Sequence, residues 1–358
     1  LRQTELAVIG GGPAGLAAAL AAAEAGVRVT IVEQDDRLGG QLVKQTHKFF
    51  GSEKQSAGRR GIVIAAEQAR AAATNKNIDV MLEAAALGYY DDGVLTVEQG
   101  DRFIKLKAGS YLFATGASEK MLAFPNNDLP GVYGAGAVQT LMNVHGVKPA
   151  DTVVMVGAGN IGLIVSYQLM QAGVKVAAIV EAAPTIGGYL VHAAKVRRAG
   201  VPIFTGHTVK EAHGTDVVSG VTIAALDQTG ATLAGTEKMI TCDCICLAVG
   251  LSPLAELLWH AGCRMVHIPE LGGHVAWRNE NLETSVPGIF IAGDVAGIEE
   301  ASSAMVEGRL AGLAAAAYLG HGSQFDSLKA ELVAELGALR SGPAGAKIRQ
   351  GLAALAGM

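Results

Sequence analysis

An α/β architecture of two strand–helix–strand units, with small β-meanders and a helical C-terminal tail, is what this sequence predicts. Three observations carry it. Residues 10–15 read GGGPAG, residues 157–162 read GAGNIG, and each motif sits between an apolar run and an Ala- or Leu-rich stretch that leads to a second apolar run ending in Glu. A glycine cluster joining a strand to a helix is the turn of a parallel βαβ unit.

The first unit opens with the apolar run 6–9, turns through Gly10, Gly11 and Gly12, and enters an Ala-rich helix that stops at Gly26. The run 27–32 is its second strand, and Glu33 ends it. Gly10 permits the tight turn, Gly12 lets the backbone approach a pyrophosphate, and Gly15 lets the helix pack closely on the strand. Pro13 suits the first helical turn, where its missing N–H would have had no partner. The free amides and positive end of the helix then face phosphates, while Glu33 can accept hydrogen bonds from a ribose diol. The unit is therefore Rossmann-like and dinucleotide-binding.

A Gly-containing loop at 38–42 follows, then an amphipathic helix around 62–73. Residues 84–109 read as short strands turning at Asp91-Asp92-Gly93 and Gly100-Asp101, a small meander that closes in the apolar run 111–114. The second unit repeats the plan: strand 152–156, Gly157, Gly159 and Gly162, helix 161–172 stopping at Gly173, and strand 174–180 ending at Glu181. A carboxylate there accepts from a ribose 2′-hydroxyl and repels a 2′-phosphate, which favours NAD over NADP. The nearby cations Arg197 and Arg198 read as a solvated helix face. Strands across 217–233 lead to 242–248, the chain returns through 274–277 to a last apolar strand at 289–292, and Gly293-Asp294 precedes a long Ala-rich helix at 299–319. From His321, two amphipathic segments flank Ser341-Gly342-Pro343. Leu328, Leu332, Leu336 and Leu339 recur there at helical spacing, a stripe that suits either the chain's own core or a partner.

A chain of 358 residues, 50% hydrophobic, can bury one large core or two ordinary ones, and two units favour two. The net charge of −5 leaves no basic footprint for nucleic acid. The uncharged stretches 6–23 and 152–174 each contain a Gly-rich turn, so they read as buried strand plus buried helix, and no transmembrane segment is expected. The chain begins at Leu1 without an initiator Met, so residues preceding it are expected; no signal-peptide pattern is visible, and a cytoplasmic location is the matching expectation. Cys242, Cys244 and Cys246 alternate along one apolar run, which puts them on one face. Same-face neighbours lie roughly 6.8 Å apart, too far for one tetrahedral metal, so they read as small buried side chains. The nine histidines lack ligand spacing and there is no CxxC, so no metal is expected.

The ordered set GGGPAG, Glu33, Gly39-Gly40-Gln41-Leu42, Ala114-Thr115-Gly116, GAGNIG, Ala248-x-Gly250 and Ile291-Ala292-Gly293-Asp294 resembles the two-dinucleotide-domain flavoproteins of the pyridine-nucleotide disulfide reductase type, from residue 5 to about 320. The resemblance implies FAD in the first unit and NAD(H) in the second, which is inserted in the first. The implied domains are 1–117 with 252–320 for FAD, 118–251 for NAD, and a helical appendage at 321–358. Contacts to FAD are implied for Gly10, Gly12, Pro13, Ala14, Gly15, Glu33, Gln34, Gly40, Gln41, Ala114, Thr115, Gly116, Gly293, Asp294, Glu300 and Ala301. Asp294 would hold the ribityl chain, and the amides near Glu300 and Ala301 would face the flavin pyrimidine edge. Contacts to NAD are implied for Gly157, Gly159, Asn160, Ile161, Gly162, Glu181, Val249 and Gly250, and Lys44 and Thr46 would border the isoalloxazine.

The sequence departs from that family where its disulfide chemistry would lie. Residues 41–47 read QLVKQTH and residues 134–141 read GAGAVQTL, without a cysteine pair in either place. Residues 129–143, LPGVYGAGAVQTLMN, are similar instead to flavin subunits of multi-component oxidoreductases: those of sarcosine, proline and opine dehydrogenases, and the NAD-reducing FAD subunit of tungsten-dependent aldehyde oxidoreductases. Amine-oxidising relatives often carry further cysteines for a [2Fe–2S] cluster, and none follows Cys263 here. The expectation is an FAD subunit that exchanges hydride with NAD(H) and electrons with an iron–sulfur partner serving a catalytic subunit, in a hetero-oligomer of the tungsten type. The alternative is the flavin subunit of an amino-acid or amine dehydrogenase.

Overall fold

Strand β1 (Arg2–Ile9) alternates its buried side chains between two cores: Leu6 and Val8 face one, Ala7 and Ile9 the other. Burial on both faces is what a central parallel strand requires. The computed structural model describes residues 1–49, 53–323 and 325–358, which divide into two compact units, residues 1–118 with 251–358 and residues 119–250.

In the first unit the chain runs from β1 through α1 (Pro13–Glu24) to β2 (Val29–Val32). After α2 (Gly61–Thr74) come β3 (Ile78–Met81), β4 (Ala84–Tyr89), β5 (Val94–Gln99) and β6 (Arg102–Phe113). The sheet order is β3-β2-β1-β6-β5-β4. β6 is one continuous strand where the sequence suggested a meander strand followed by a separate apolar run. Its first half pairs antiparallel with β5 and its second half parallel with β1, so one strand serves both the meander and the parallel sheet.

The chain leaves this unit within β7 (Ala117–Glu119), after Ser118. In the second unit, β8 (Val132–Gly134), α3 (Ala135–Asn143), β9 (Thr152–Val156), α4 (Asn160–Gln171), β10 (Lys175–Glu181), α5 (Leu190–Arg198) and β11 (Ile203–Thr205) precede an antiparallel meander. That meander is β12 (His207–His213), β13 (Gly220–Ala225) and β14 (Lys238–Thr241). β15 (Cys244–Leu247) completes a parallel sheet of order β11-β10-β9-β15-β8. Cys244 and Cys246 share one core of this unit, but Cys242 packs into the other, so the three cysteines do not share a face. The strand begins only at Cys244, because the Asp243 carboxylate before it accepts the amides of Asp151 (2.9 Å) and Thr152 (2.7 Å) and breaks the alternation.

The chain re-enters the first unit through β16 (Leu251–Pro253), α6 (Glu256–His260), the hairpin of β17 (Met265–Ile268) and β18 (Gly273–Ala276), and β19 (Ile289–Ile291), which pairs parallel with β6. α7 (Ala301–Tyr318) then lies against α1. Its Gly308 and Gly312 have no room for a side chain, since a Cβ there would strike the Ala14 and Ala18 backbone of α1. Small residues thus set the closeness of the two helices.

The segment after His321, expected as an appendage, forms α8 (Phe325–Leu339) and α9 (Ala346–Ala356). Leu332 and Leu336 are buried in the core formed with α1 and α7, and Leu339 packs against it. Leu332, Leu336 and Leu339 of the stripe therefore cover the chain's own core, and their reading as a partner surface is corrected. Leu355 of α9 packs with Ile268, Leu271 and Val275. No helix among the described residues is long and apolar enough to cross a membrane.

Candidate functional site

Each glycine motif builds the same cradle. Gly10 and Gly157 adopt φ of +103° and +108°, in the left-handed region that favours glycine, and a Cβ on either would strike the carbonyl of Ala114 or Ala248. Gly15 and Gly162 lie one helical turn on, where a Cβ would strike the carbonyls of Gly10 and Gly157. The middle glycines differ: the nearest atom to a Cβ on Gly12 is the Gly40 Cα at 3.8 Å, and nothing lies within 4 Å at Gly159. The first and third glycines are thus required by the chain itself, and the second faces open space. Gly12 and Gly159 are also the N-caps of α1 and α4, with no side chain capping either helix. Uncapped amides beside open space suit an anion such as a pyrophosphate.

The glutamates are latched alike. Glu33 accepts the Gly11 N–H at 2.7 Å and the Asp35 N–H at 2.9 Å; Glu181 accepts the Ala158 N–H at 2.6 Å and the Ala183 N–H at 2.9 Å. Burial holds the Glu33 carboxyl above its usual range despite the amides it accepts. The end of each second strand is thereby tied to the turn of its own glycine motif. Gln34, next to Glu33, is exposed.

Other expected residues of the first cradle come from several elements. Gly40 (φ +49°) approaches Gly12 so closely that a Cβ on it would lie 2.7 Å from the Gly12 Cα, and residues Gly40–Lys44, including Gln41, form a 3-10 turn instead of a loop. Arg60 donates to the Thr46 carbonyl at 2.5 Å. Ala114 donates its N–H to Ile9, Thr115 donates its hydroxyl to the Leu254 carbonyl at 2.6 Å, and Gly116 turns at φ +75°. Pro13 opens α1, while the Ala14 side chain is buried, leaving its amide as the group it can offer. Gly293 begins a 3-10 turn that carries Asp294, and Glu300 and Ala301 are the N-cap and first residue of α7.

In the second cradle, the Asn160 side-chain oxygen accepts the Tyr189 N–H at 2.8 Å, so it orders the segment before α5. Ile161 is exposed beside it. Gly250 turns at φ +120° just after Val249, and its carbonyl accepts the Lys120 N–H at 2.9 Å. Arg197 and Arg198 are exposed on α5.

A buried charge network that the sequence did not reveal lies behind Asp294. Glu307, in the middle of α7, accepts the Gly293 N–H at 3.0 Å and a guanidinium N–H of Arg340 at 2.5 Å. Arg340 also forks onto Glu299 at 2.6 and 3.0 Å, and the Glu299 N–H donates to Asp294 at 3.3 Å. Arg278 donates to the Ala296 carbonyl at 2.6 Å and stands 4.0 Å from Glu307. Burial, with Glu307 and Glu299 nearby, pushes Asp294 up to about 6. Burial and Glu307 likewise raise Glu299. Only Glu307 had a local signal, a lone acid inside an Ala-rich helix; its partners are too distant in sequence for any pattern to join them.

All four cysteines are unpaired and buried, and burial pushes Cys242 and Cys244 up to about 12. Such thiols are poor nucleophiles. Among the described residues, no group of three or more His, Cys, Asp and Glu residues is arranged to hold a metal.

A protein with two dinucleotide cradles and no redox-active thiol pair is what this geometry defines. The family model of pyridine nucleotide-disulphide oxidoreductase matches residues 4–308, and the chain belongs to that family. Members of that family are FAD-dependent oxidoreductases that use NAD(P)H. Among curated proteins it is 30% identical to the alpha subunit of sarcosine oxidase from Rhizobium meliloti (85% of this chain, 29% of that one). It is 29% identical to an opine oxidase subunit of Agrobacterium tumefaciens (88% and 66%) and 29% identical to the HcnB subunit of hydrogen cyanide synthase from Pseudomonas protegens (86% and 69%). The chain thus spans only 29% and 66% of the lengths of the sarcosine oxidase and opine oxidase relatives. Two solved structures share its fold: T. acidophilum thioredoxin reductase (TM-score 0.72, 22% identity, 88% of this chain and 99% of that one) and L-proline dehydrogenase of P. horikoshii (TM-score 0.70, 24% identity, 94% and 59%).

Proposed function

We propose that the first cradle holds FAD and the second NAD(H), and that the chain is the flavin subunit of a hetero-oligomeric oxidoreductase acting on an amine or amino acid. The observation that carries this reading is the repeated, glutamate-latched cradle in a chain whose cysteines are all buried and unpaired. FAD supplies hydride acceptance coupled to single-electron release. The chain's own residues bind and orient. The α1 amides meet the pyrophosphate, Glu33 accepts from the ribose, Asp294 accepts from the ribityl chain, and the α7 amides at Ala301 face the flavin edge. Lys44, closing the 3-10 turn, provides positive charge toward reduced flavin. In the second cradle Glu181 accepts from the adenosine ribose and disfavours a 2′-phosphate.

The three curated relatives named above are each subunits of larger enzymes, which supports a partner chain. Sarcosine and opine are secondary amines, so these relatives favour amine oxidation. A tungsten-type aldehyde oxidoreductase and an iron–sulfur partner have no support among them. Because the chain spans only part of two of these relatives, the lack of cysteines after Cys263 does not weigh against the amine reading.

Anaerobic titration of the FAD-loaded chain tests this. NADH bleaches the visible flavin band; sarcosine, proline or an opine bleaches it only with the partner subunit present. Rapid reduction of the isolated chain by one of these amines would make it a self-sufficient dehydrogenase, and failure of NADH to bleach bound flavin would remove the assignment of the second cradle.

A further inference from the structure

We propose that Arg340, delivered by the C-terminal segment, is a positioning residue for flavin binding: it holds Glu299 and Glu307, and through them the Gly293–Asp294 turn. The inference rests on the assignment of the first cradle to FAD.

The geometry forms a closed chain of contacts. One carboxylate oxygen of Glu307 accepts the Gly293 N–H, and the other accepts the Arg340 guanidinium. The same guanidinium forks onto Glu299, whose N–H donates to the Asp294 carboxylate. Arg340 therefore grips both ends of the segment from Gly293 to Glu299, the stretch that carries Asp294 and leads into α7. Side-chain exposure is 14% for Arg340, 8% for Glu299 and 3% for Glu307, so the guanidinium and not bulk water compensates the two carboxylates. The network comprises three carboxylates, Asp294, Glu299 and Glu307, and two guanidiniums, Arg278 and Arg340, with Arg278 turned mainly to the Ala296 carbonyl. Without Arg340, three acids would share one buried cation. At least one would take up a proton or draw in water, and the Gly293–Asp294 turn would lose its fixed acceptor.

Arg340 is itself anchored. Its backbone N–H donates to the Leu336 carbonyl at 2.9 Å, and Leu336 is buried against the α1 and α7 core. Arg349 of α9 donates to the carbonyls of Arg340 and of Gly342, the latter at 2.9 Å. The leucine stripe of α8 and the clasp from α9 thus place one guanidinium behind the flavin site, a task for the tail that neither packing nor partner binding describes.

The test is FAD affinity by flavin-fluorescence titration of the apo-protein, comparing wild type, Arg340→Met, Arg340→Lys and the double variant Arg340→Met/Glu307→Gln. Circular dichroism and thermal melting of each apo-protein are recorded alongside. Arg340→Met is expected to weaken FAD binding by about ten- to hundredfold, the scale of leaving a buried acceptor without its partner. Arg340→Lys, which keeps the charge but not the fork, falls between. Glu307→Gln in the double variant removes an unpaired charge while keeping an acceptor for Gly293, so it restores part of the affinity; a merely space-filling role would show no such rescue. Wild-type affinity in a folded Arg340→Met, or a double variant no better than the single, overturns the inference. Should Arg340→Met not fold, wild-type affinity in Arg340→Lys overturns it. A wild-type chain that takes up no FAD overturns the flavin assignment and this inference together, whereas equal binding by wild type and Arg340→Met overturns this inference alone.

Discussion

The Glu181 carboxylate at the end of β10 accepts the Ala158 N–H of its own glycine turn at 2.6 Å, the counterpart of the Glu33–Gly11 contact at 2.7 Å in the first cradle. A glutamate in this place braces the turn; under the proposed assignment it also meets the adenosine ribose of the bound nucleotide, where a carboxylate opposes a 2′-phosphate.

Preference for NADH over NADPH is the first consequence. Like charges about 4 Å apart repel by ~1 kcal/mol in water and ~4 kcal/mol near a protein surface, so discrimination of about fivefold or more is expected. Glu181→Ala narrows the ratio of the two dissociation constants, and Glu181→Arg narrows it further or inverts it. Tighter binding of NADPH by the unaltered chain would contradict this account.

Two glycines of one motif are expected to behave differently. Gly12 has an extended backbone (φ −75°, ψ −172°) and open space, so Gly12→Ala costs the apo-protein no more than about 1 kcal/mol. Its FAD retention falls nonetheless, because the methyl group enters the space the pyrophosphate needs. Gly15→Ala forces α1 away from the Gly10 carbonyl and lowers apo stability by about 1–3 kcal/mol as well. Denaturation curves and flavin content of the two variants check the contrast, and equal stability losses would refute it.

The buried Asp294 gives the apo-protein a pH signature. Its carboxyl is raised from 3.8 to about 6 in the folded chain, so the native state binds its proton more tightly than the unfolded state does. Its contribution to stability is fully present below pH 3.8 and is lost as pH rises through about 6. Asp294→Asn removes that dependence. Over this window the wild type should lose stability relative to the variant as pH rises, read from denaturant midpoints; parallel curves would count against the shift.

Truncation in the tail should act on the fold and not on assembly. Leu332 is 1% exposed and packs with α1 and α7, so Leu332→Ala is expected to cost about 2–5 kcal/mol. Sedimentation of the variant should match that of the wild type at equal concentration. An altered oligomeric state with unchanged stability would return the stripe to the role of partner surface.

Both cradles were legible in the sequence because their requirements are local. The turns at Gly10 and Gly157, the helices opening at Pro13 and Asn160, and the acids at Glu33 and Glu181 lie at short, fixed offsets, and glycine is needed there on steric grounds visible in the chain itself. The 3-10 turn at Gly40–Lys44 was less legible, since a Gly-Gly pair marks a turn without saying which. The single strand β6 was missed because its two halves find different neighbours, a fact of the sheet and not of the residues 102–113.

The α/β class, the two glycine-motif units and the lack of a redox cysteine pair could be read directly from the residues, because periodicity, turn chemistry and motif spacing act over a few positions. The folded chain was needed to see that Cys242 leaves the face of Cys244 and Cys246, that Leu332 and Leu336 close on α1 and α7, and that Arg340 meets Glu307 and Glu299. Those pairings join residues separated by 33 and 41 positions. A charge can be buried only where an opposite charge or a set of amides is already in place, and that placement depends on the path of the whole chain.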